Sequence, residues 1–183
     1  MKRFIIADTH FGHKNVIEYN NRPFATVEEM DQKLIEAWNS LVKAEDTVYM
    51  LGDFTLSRRM DIIKNLVSKL NGKKVLIMGN HDTRKPKDYV ECGFDAATRK
   101  PMMVESGVIL KHEPFVDASF IAPNYIYFFG HVHVNKTLMD DYPNCMCVSV
   151  ERIGYKPADF DKSLKRLKKA THCVANSESL DEH

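Results

Sequence analysis

The sequence predicts an α/β sandwich whose strands form two mixed β-sheets. Three observations lead to this class. In the first half of the 183-residue chain, short apolar strands alternate with amphipathic helices, which is typical of a parallel sheet with helical crossovers. In the second half, a hairpin and two further apolar strands precede a single long helix. No repeat, linker or shift in composition interrupts the chain, so we expect one domain over residues 1–175.

The elements of the first half follow from apolar patterns and capping residues. Residues 3–7 are predicted as a strand buried on both faces. A helix is expected over about 27–43, because Thr26 and Glu29 form a capping box. Residues 47–51 are predicted as the second strand. Ser57 is a candidate cap for the next helix, and a third strand covers residues 74–78.

The second half is predicted from turn residues and β-rich runs. Residues 101–105 and 107–111 flank Ser106-Gly107 and predict a hairpin. Residues 125–129 and 145–150 are predicted as further strands. A helix is expected over 159–171, with Asp159 or Asp161 as its N-cap. Residues 176–183 are polar, and we expect a loose tail there.

Composition excludes several classes of protein. Hydrophobic residues make up 44% and charged residues 28%, the balance of an ordinary globular protein. A formal net charge of +1 argues against a polyanion binder that relies on bulk charge, although the middle third is mildly basic. The apolar run at residues 4–7 is too short for a signal peptide, and no run is long enough for a membrane span. We therefore expect a cytoplasmic protein, with no membrane partner and with reduced cysteines that serve packing.

Asp, Asn and His residues follow five successive predicted strands. The segments are Asp8-Thr9-His10, Gly52-Asp53, Gly79-Asn80-His81-Asp82, Lys111-His112-Glu113 and Gly130-His131-Val132-His133. Ligands of open α/β sheets bind at the carboxyl ends of the strands. Each short motif alone is weak or only moderately specific, but the ordered set at strand ends strongly indicates one functional site.

The residue types at these positions suit divalent metal ions. Imidazole, carboxylate and amide ligands fit Mn, Fe, Zn or Ni, and thiolate is absent from the set. The glycines before Asp53, Asn80 and His131 allow close approach of the backbone. The set of candidate ligands comprises Asp8, His10, Asp53, Asn80, His112, His131 and His133. These are too many for one ion and fit two ions that share a carboxylate.

This ordered set resembles the calcineurin-like metallophosphoesterase superfamily, and the start Asp8-Thr9-His10-Phe11-Gly12-His13 is similar to its small bacterial and phage members. The resemblance spans residues 8–133. It implies a four-layer α/β/β/α sandwich and a dinuclear centre. Asp8, His10, Asp53 and His133 would hold one ion, and Asp53, Asn80, His112 and His131 would hold the other.

The resemblance also implies two catalytic residues. His81 would contact the phosphate and protonate the leaving oxygen, while a hydroxide between two cations attacks phosphorus. Asp82 would orient His81, and a helix N-cap is an equal alternative for it. Four further residues are candidate substrate contacts, with ordinary loop positions as the alternative: His13, Arg58, Arg59 and Arg84.

The expected function is that of a metal-dependent phosphodiesterase acting on a nucleotide or nucleic-acid phosphoester, with Mn²⁺ as the first choice of metal. Protein phosphatases of the superfamily carry an Arg-Gly pair soon after the second aspartate. Here the arginines Arg58 and Arg59 are out of that register, which disfavours this class. Phosphomonoesterase or dinucleoside polyphosphate hydrolase activity is the alternative, followed by a metal-binding scaffold without catalysis.

Overall fold

Two mixed β-sheets form the centre of the protein, as the sequence predicts. The computed structural model describes residues 1–178. The strands are β1 (Arg3–Ile6), β2 (Thr47–Met50), β3 (Lys73–Ile77), β4 (Ala96–Thr98), β5 (Met102–Glu105), β6 (Val108–Leu110), β7 (Ile126–Phe129), β8 (Cys145–Cys147) and β9 (Ala158–Asp159). The helices are α1 (Asn15–Tyr19), α2 (Val27–Leu41), α3 (Met60–Ser68), α4 (Pro86–Glu91) and α5 (Phe160–Glu178), with 3₁₀ helices at Ala118–Phe120 and Leu138–Asp141.

The larger sheet has the strand order β4-β3-β2-β1-β9. Strands β1 to β3 are mutually parallel, as predicted from the alternation of strands and helices. Strand β4, which was not predicted, pairs parallel with β3, and β9 pairs antiparallel with β1. At the ends of the strands, Ile6 pairs with Met50, and Met50 pairs with Leu76. The segments that follow β1, β2 and β3 therefore leave the sheet side by side at one edge.

The smaller sheet has the strand order β5-β6-β7-β8. Strands β5 and β6 form the predicted antiparallel hairpin, and β6, β7 and β8 are parallel. A parallel bridge joins Ala7, just after β1, to Ser149, just after β8. This bridge brings the carboxyl ends of strands from both sheets together, which is where the predicted ligands lie.

Apolar side chains fill three spaces around the two sheets. The core between the sheets includes Ile5, Leu51, Leu110, Phe128 and Val148, together with Phe160, Leu164 and Leu167 of α5. The outer face of the larger sheet packs against α2, α3 and α4 through a second core that includes Met30, Trp38, Ile63 and Tyr89. The outer face of the smaller sheet is covered by a third core that includes Ile121 and Met139, from the 3₁₀ segments and their loops. These layers place the functional edge on a scaffold that is buried on both sides.

Two helices begin at residues that the sequence identified. The Thr26 hydroxyl accepts a hydrogen bond from the Glu29 backbone amide at 3.2 Å, so Thr26 caps α2 as predicted. The Glu29 carboxylate accepts from Ala25 at 2.8 Å rather than from Thr26. For α5, the Asp159 carboxylate accepts from the Lys162 amide at 2.9 Å, which selects Asp159 over Asp161 as the capping residue.

Other element boundaries differ from the prediction. Helix α3 begins at Met60 after Arg59, so Ser57 does not cap it; the Ser57 hydroxyl instead accepts from the Arg59 amide at 3.3 Å. Strand β8 ends at Cys147, although Ser149 still pairs with Ala7. Helix α5 continues to Glu178 and so includes the first residues of the predicted tail. Residues 179–183 of that tail lie outside the described residues.

The described cysteines and helices bear on two further expectations. Cys92, Cys145 and Cys147 are free thiols, and Cys145 and Cys147 both pack into the core on the outer face of the smaller sheet, as predicted for alternate residues of one strand. Within residues 1–178, no helix has the length and apolar character needed to cross a membrane.

Candidate metal centre

The predicted ligands converge where the strands of both sheets end. Asp8 and His10 follow β1, Asp53 follows β2, Asn80 follows β3, His112 follows β6, and His131 and His133 follow β7. Five of them have positive φ angles: Asp8 (59°), His10 (50°), Asp53 (54°), His131 (75°) and His133 (50°). Residues other than glycine rarely adopt this conformation, and such strain accumulates at functional sites. The backbone is therefore turned after β1, β2 and β7, so that these five side chains face a common centre.

The first cluster consists of Asp8, His10 and His133, whose ligand atoms lie within 4.8 Å of one another. Asp8 is completely buried. Its carboxylate accepts hydrogen bonds from the His131 backbone amide at 2.9 Å and from the Ser149 hydroxyl at 2.6 Å. These bonds fix the carboxylate in the centre while leaving lone pairs for a cation.

The second cluster consists of Asp53, His112 and His131, again within 4.8 Å. Asn80 completes it, because its side-chain oxygen lies 3.0 Å from both His112 Nε2 and His131 Nδ1. These two ring nitrogens are 3.2 Å apart. Three potential ligand atoms from three different strand ends thus face one point, as expected for a metal site.

Asp53 lies between the two clusters. Its Oδ2 atom is 3.5 Å from His10 Nε2 in the first cluster and 3.5 Å from His112 Nε2 in the second. Its Oδ1 atom accepts a hydrogen bond from the His81 backbone amide at 2.9 Å. One oxygen is therefore anchored to the protein, and the other is placed to be shared by two cations.

The hydrogen bonding of the histidines fits metal ligation. His10 Nε2 is buried and has no hydrogen-bond partner, a costly state unless a ligand satisfies it. His112 Nδ1 bonds the Leu51 carbonyl oxygen at 2.7 Å, and His133 Nδ1 bonds Glu151 at 2.9 Å. Histidine ligands of metals usually use their second nitrogen in this way. The two clusters fit a dinuclear centre.

Burial and the neighbouring histidines shift the pKa values of the two carboxylates in opposite directions. Burial raises the pKa of Asp8 to about 6. Burial also raises the pKa of Asp53, but the hydrogen bond and charge of His112 outweigh it and lower the value to about 2. Asp53 is therefore ionised throughout the physiological range, which suits a shared ligand.

The pKa values of the histidines also shift in opposite directions. Burial lowers the pKa of His10 to about 2, so its ring is neutral and able to bind a metal. Burial also lowers the pKa of His131. Burial opposes the protonation of His112, but Asp53 and Asp8 outweigh it and raise its pKa to about 9. A proton on His112 offsets one of the two negative charges of Asp8 and Asp53.

Two supporting residues, Arg22 and Glu151, were not predicted from the sequence. The Arg22 guanidinium donates to Glu151 at 2.7 Å and to the backbone oxygens of Asp8 at 2.7 Å and Thr9 at 3.0 Å. Glu151 in turn bonds His133. The exposed fractions of the Arg22 and Glu151 side chains are only 0% and 2%. This buried pair holds the segment after β1 and the ring of His133 in place.

His81 and Asp82 lie beside the centre, with different surroundings. The His81 side chain is 45% exposed, and its Nε2 atom lies 4.0 Å from Asp53 Oδ2, at the mouth of the site. Asp82 is buried, and its carboxylate accepts the backbone amides of Gly79 at 2.8 Å, Asp53 at 2.8 Å and Phe54 at 3.2 Å. Asp82 Oδ2 thus joins the loops after β2 and β3, and Oδ1 binds the loop after β2. The predicted contact with the His81 ring is not among the hydrogen bonds of the described residues, and neither is a helix cap, because α4 begins later, at Pro86.

Of the four candidate substrate contacts, only His13 is seen to touch a ligand residue. His13 Nδ1 lies 3.4 Å from His10 Nδ1. Arg59 forms an exposed ion pair with Asp61 at 2.6 Å. Arg84 bonds Asp88 at 3.1 Å and the Arg58 carbonyl oxygen at 2.8 Å, and Arg58 and Arg84 line a shallow cavity outside the clusters.

Comparison with known proteins agrees with this geometry. A family model described as the calcineurin-like phosphoesterase superfamily domain matches residues 1–150. The chain is 38% identical over 175 residues to the uncharacterised protein MJ1445 of Methanocaldococcus jannaschii, which covers 92% of each protein. It is 33% identical over 129 residues to the gene 66 protein of Mycobacterium phage L5, which covers 60% of this chain and 62% of the phage protein.

A solved structure is also similar. The protein of unknown function AQ665 from Aquifex aeolicus matches with a TM-score of 0.70 and 28% sequence identity, covering 90% of this chain and 98% of that one. The predicted resemblance and fold are thereby confirmed. The family match over most of the chain, the shared fold and the two ligand clusters together show that this chain belongs to the calcineurin-like phosphoesterase superfamily.

Proposed function

We propose that the protein is a metal-dependent phosphoesterase that hydrolyses phosphodiesters of nucleotides or nucleic acids. The observation that carries this proposal is the position of Asp53 Oδ2, 3.5 Å from a histidine nitrogen of each cluster. An oxygen shared in this way is what a pair of divalent ions requires. Phosphoryl transfer is the reaction for which such pairs are commonly used.

Each cluster has a defined part in this chemistry. Asp8, His10 and His133 would hold one ion, and Asn80, His112 and His131 the other, with Asp53 common to both. Ions bound there would lower the pKa of water and neutralise phosphate charge. Mn²⁺ is the first choice, because imidazole, carboxylate and amide ligands all suit it.

His81 is the residue best placed to move a proton. Its ring is half exposed beside Asp53 but belongs to neither cluster, so it remains free to meet a substrate. Histidine exchanges protons near neutral pH, and a departing alkoxide needs a proton. We therefore assign to His81 the protonation of the leaving oxygen. Asp82 supports this step indirectly, because it holds the loop on which His81 lies.

The choice of a diester over a monoester rests on the segment after Asp53. A terminal phosphate carries more negative charge than a diester and benefits from an arginine at the centre. Here Arg59 pairs with Asp61 on α3 and is 72% exposed, and Arg84 pairs with Asp88. This arrangement favours a substrate with less charge at the reacting phosphorus.

A paired assay with Mn²⁺ tests the proposal. We expect faster hydrolysis of bis-p-nitrophenyl phosphate than of p-nitrophenyl phosphate, and a loss of about 10²–10⁴-fold in kcat for His81→Ala, the range of a general acid. Metal content should be unchanged, because His81 is not in a cluster. His172→Ala, which removes an exposed histidine of α5, is the matched control.

Three outcomes would contradict parts of this proposal. A strong preference for the monoester would replace the diesterase with a phosphomonoesterase. Full activity of His81→Ala would remove its assigned role. If the Mn²⁺-loaded protein hydrolyses neither compound, the alternative of a metal-binding scaffold without catalysis would be favoured.

A further inference from the structure

A cavity of about 460 Å³ opens beside the second cluster. Asn80 and His112 form its border with the metal centre, and Arg99, Lys111 and Glu113 are its other charged or polar lining residues. This volume lies within the range of small-molecule sites. None of these last three residues is a candidate ligand, although Lys111 and Glu113 flank the ligand His112 in the segment after β6.

Lys111 brings an unpaired cation to this cavity. Its Nζ atom lies 3.2 Å from the centre of the Phe115 ring, and the side chain is half-buried. Among the described residues, no carboxylate lies within 4 Å of the Nζ atom, and it has no hydrogen-bond partner. An ammonium group that is held over an aromatic ring is stabilised by the ring quadrupole. It is therefore available to an anion.

Arg99 brings a second cation, which is fixed by the loop that carries His81. Its Nη2 atom donates to the backbone oxygen of Asp82 at 3.1 Å and to that of Arg84 at 2.7 Å. Both acceptors are neutral, so the charge of the guanidinium is not cancelled. Its Nε and Nη1 atoms have no partner among the described residues. The planar guanidinium is thus held in position with donors to spare, which is how arginine binds phosphate.

We propose that this cavity binds a second phosphate of the substrate, one that is not hydrolysed. The inference rests on the proposed function, because it assumes that the scissile phosphate lies at the metal centre. Lys111 and Arg99 provide two positive charges against the single carboxylate of Glu113. A phosphate in the cavity would lie next to Asn80 and His112, and so within one nucleotide of the reacting phosphorus.

Two kinds of substrate carry such a second phosphate. One is an oligonucleotide, in which the second group is the neighbouring phosphate of the chain. The other is a dinucleoside polyphosphate, in which the second group belongs to the same phosphate chain. Beyond Arg99, a second cavity is lined by Arg58, Lys85 and Arg84, the last of which is paired with Asp88. Positive side chains thus continue past the first cavity, which favours the oligonucleotide, the substrate with further phosphates along its chain.

Dinucleotides that differ only in terminal phosphate provide the test. We would measure kcat/KM for cleavage of the internal bond in d(TpT), d(pTpT) and d(TpTp) with Mn²⁺, and for diadenosine tetraphosphate in parallel. We expect the protein to prefer one phosphorylated dinucleotide over d(TpT) by about tenfold or more, the effect of a charge-assisted hydrogen bond. In Lys111→Met, which keeps the packing on Phe115, this preference should fall to within about twofold.

Lys100→Met is the matched control, because Lys100 is an exposed lysine near Arg99 that does not line the cavity. Equal rates for all three dinucleotides, or a preference that survives Lys111→Met, would overturn the proposal for oligonucleotides. A Lys111-dependent rate on diadenosine tetraphosphate alone would assign the cavity to a polyphosphate. If neither kind of substrate shows dependence on Lys111, the second-phosphate site is wrong.

A binding measurement separates this proposal from the proposed function. Fluorescence anisotropy of 5′- and 3′-phosphorylated hexathymidylate is measured with Mn²⁺-loaded His81→Ala protein, which requires no turnover. If the His81→Ala/Lys111→Met protein binds the DNA more weakly than the His81→Ala/Lys100→Met protein, the second-phosphate site is supported even if no hydrolysis is found. If the two double variants bind equally, the second-phosphate site is wrong even if hydrolysis is found.

Discussion

At the scale of single residues, Glu151 determines how His133 is presented to the first cluster. One of its oxygens accepts from both Arg22 and His133, and its other oxygen is buried without a partner. The negative charge on Glu151 orients the His133 ring and increases its basicity, both of which strengthen a metal ligand. The same charge compensates the buried Arg22 guanidinium, which would otherwise lie unpaired in the interior.

Glu151→Gln should therefore weaken metal binding while preserving the shape of the side chain. We expect Mn²⁺ affinity to fall about 10- to 100-fold, the usual effect of losing such a partner, as measured by competition with a chelating dye. We also expect a loss of about 3 kcal/mol or more in stability to urea, because a buried charge pair is broken.

Asp61→Asn is the control for Glu151→Gln. It breaks the Arg59–Asp61 pair, whose side chains are 72% and 66% exposed. An exposed ion pair contributes less than about 1 kcal/mol to stability. The hydrogen bonds and ion pairs of Arg59 and Asp61 include no candidate metal ligand. Equal Mn²⁺ affinity in Glu151→Gln and the unaltered protein would contradict the role assigned to Glu151.

The sequence predicted the candidate metal ligands but not the residues that hold them in place, and this outcome has a physical reason. His10 and Asp53 could be predicted because each directly follows an apolar strand, and strand ends are where ligands meet. Arg22 follows no strand and belongs to no motif. Glu151 directly follows the predicted strand 145–150, a position that could have marked it, but it lies 129 residues from Arg22 in sequence. Their pairing depends on the packing of one loop against another, which local patterns do not encode. A charged residue that becomes fully buried is evident only from the fold.

At the scale of elements, the turns after β3 and β7 pack so closely that only glycine fits. A Cβ atom on Gly79 would lie 2.7 Å from the Asp53 backbone nitrogen and 2.8 Å from His112 Cε1, and would also meet Asp53 Oδ1. A Cβ on Gly130 would lie 2.6 Å from the Ala7 Cβ. The predicted close approach at the glycines that precede ligands is thus confirmed.

Gly79→Ala should damage the centre more than the fold. The added methyl group would displace Asp53, whose Oδ2 atom lies near a histidine of each cluster, and His112 of the second cluster. We expect Mn²⁺ bound per protein to fall from two toward one or none, as measured by metal analysis after dialysis, while circular dichroism stays unchanged. Gly154→Ala is the control for backbone strain alone, because Gly154 has a φ of +73° but a Cβ there has nothing within 4 Å. Two tightly bound ions in Gly79→Ala would contradict this explanation.

The elements that the sequence did not predict are short and depend on distant partners. Strands β4 and β9 have three and two residues and are stabilised by pairing with β3 and β1. Such short runs show no periodicity of their own. Helix α4 is different, since Pro86 at its first position was a readable signal of a helix start. The long, periodic α2 and the parallel strands β1 to β3 followed directly from the sequence.

At the scale of the whole molecule, a nearly neutral protein has its charge arranged around one edge. The net charge is +1, yet the two cavities on the side of Asn80 and His81 are lined by five cations, against the two carboxylates of Asp88 and Glu113. The five cations are Arg58, Arg84, Lys85, Arg99 and Lys111. All five lie in the middle third, which the sequence identified as mildly basic. The sequence could show this excess, but only the fold shows that it is concentrated beside the metal centre.

Metal removal should also be visible in the stability of the whole protein, because the clusters join both sheets. Asp8 and Asp53 come from the larger sheet, and His112, His131 and His133 come from the smaller one. Cations held between them would therefore cross-link the two layers, and a ligand that binds only the folded state stabilises it. At 100 times Kd the gain is about 2.7 kcal/mol, which corresponds to about 5–10 °C in Tm for a chain of this size.

Differential scanning fluorimetry with EDTA and then with excess Mn²⁺ measures this effect. We expect EDTA to lower Tm by about 5–10 °C and excess Mn²⁺ to restore it. Asp53→Asn supplies the internal control, because it removes the charge of the oxygen shared by the clusters, and most of the metal-dependent shift should disappear. An unaltered protein with the same Tm in EDTA and in Mn²⁺, despite metal bound at the start, would show that the ions do not hold the sheets together.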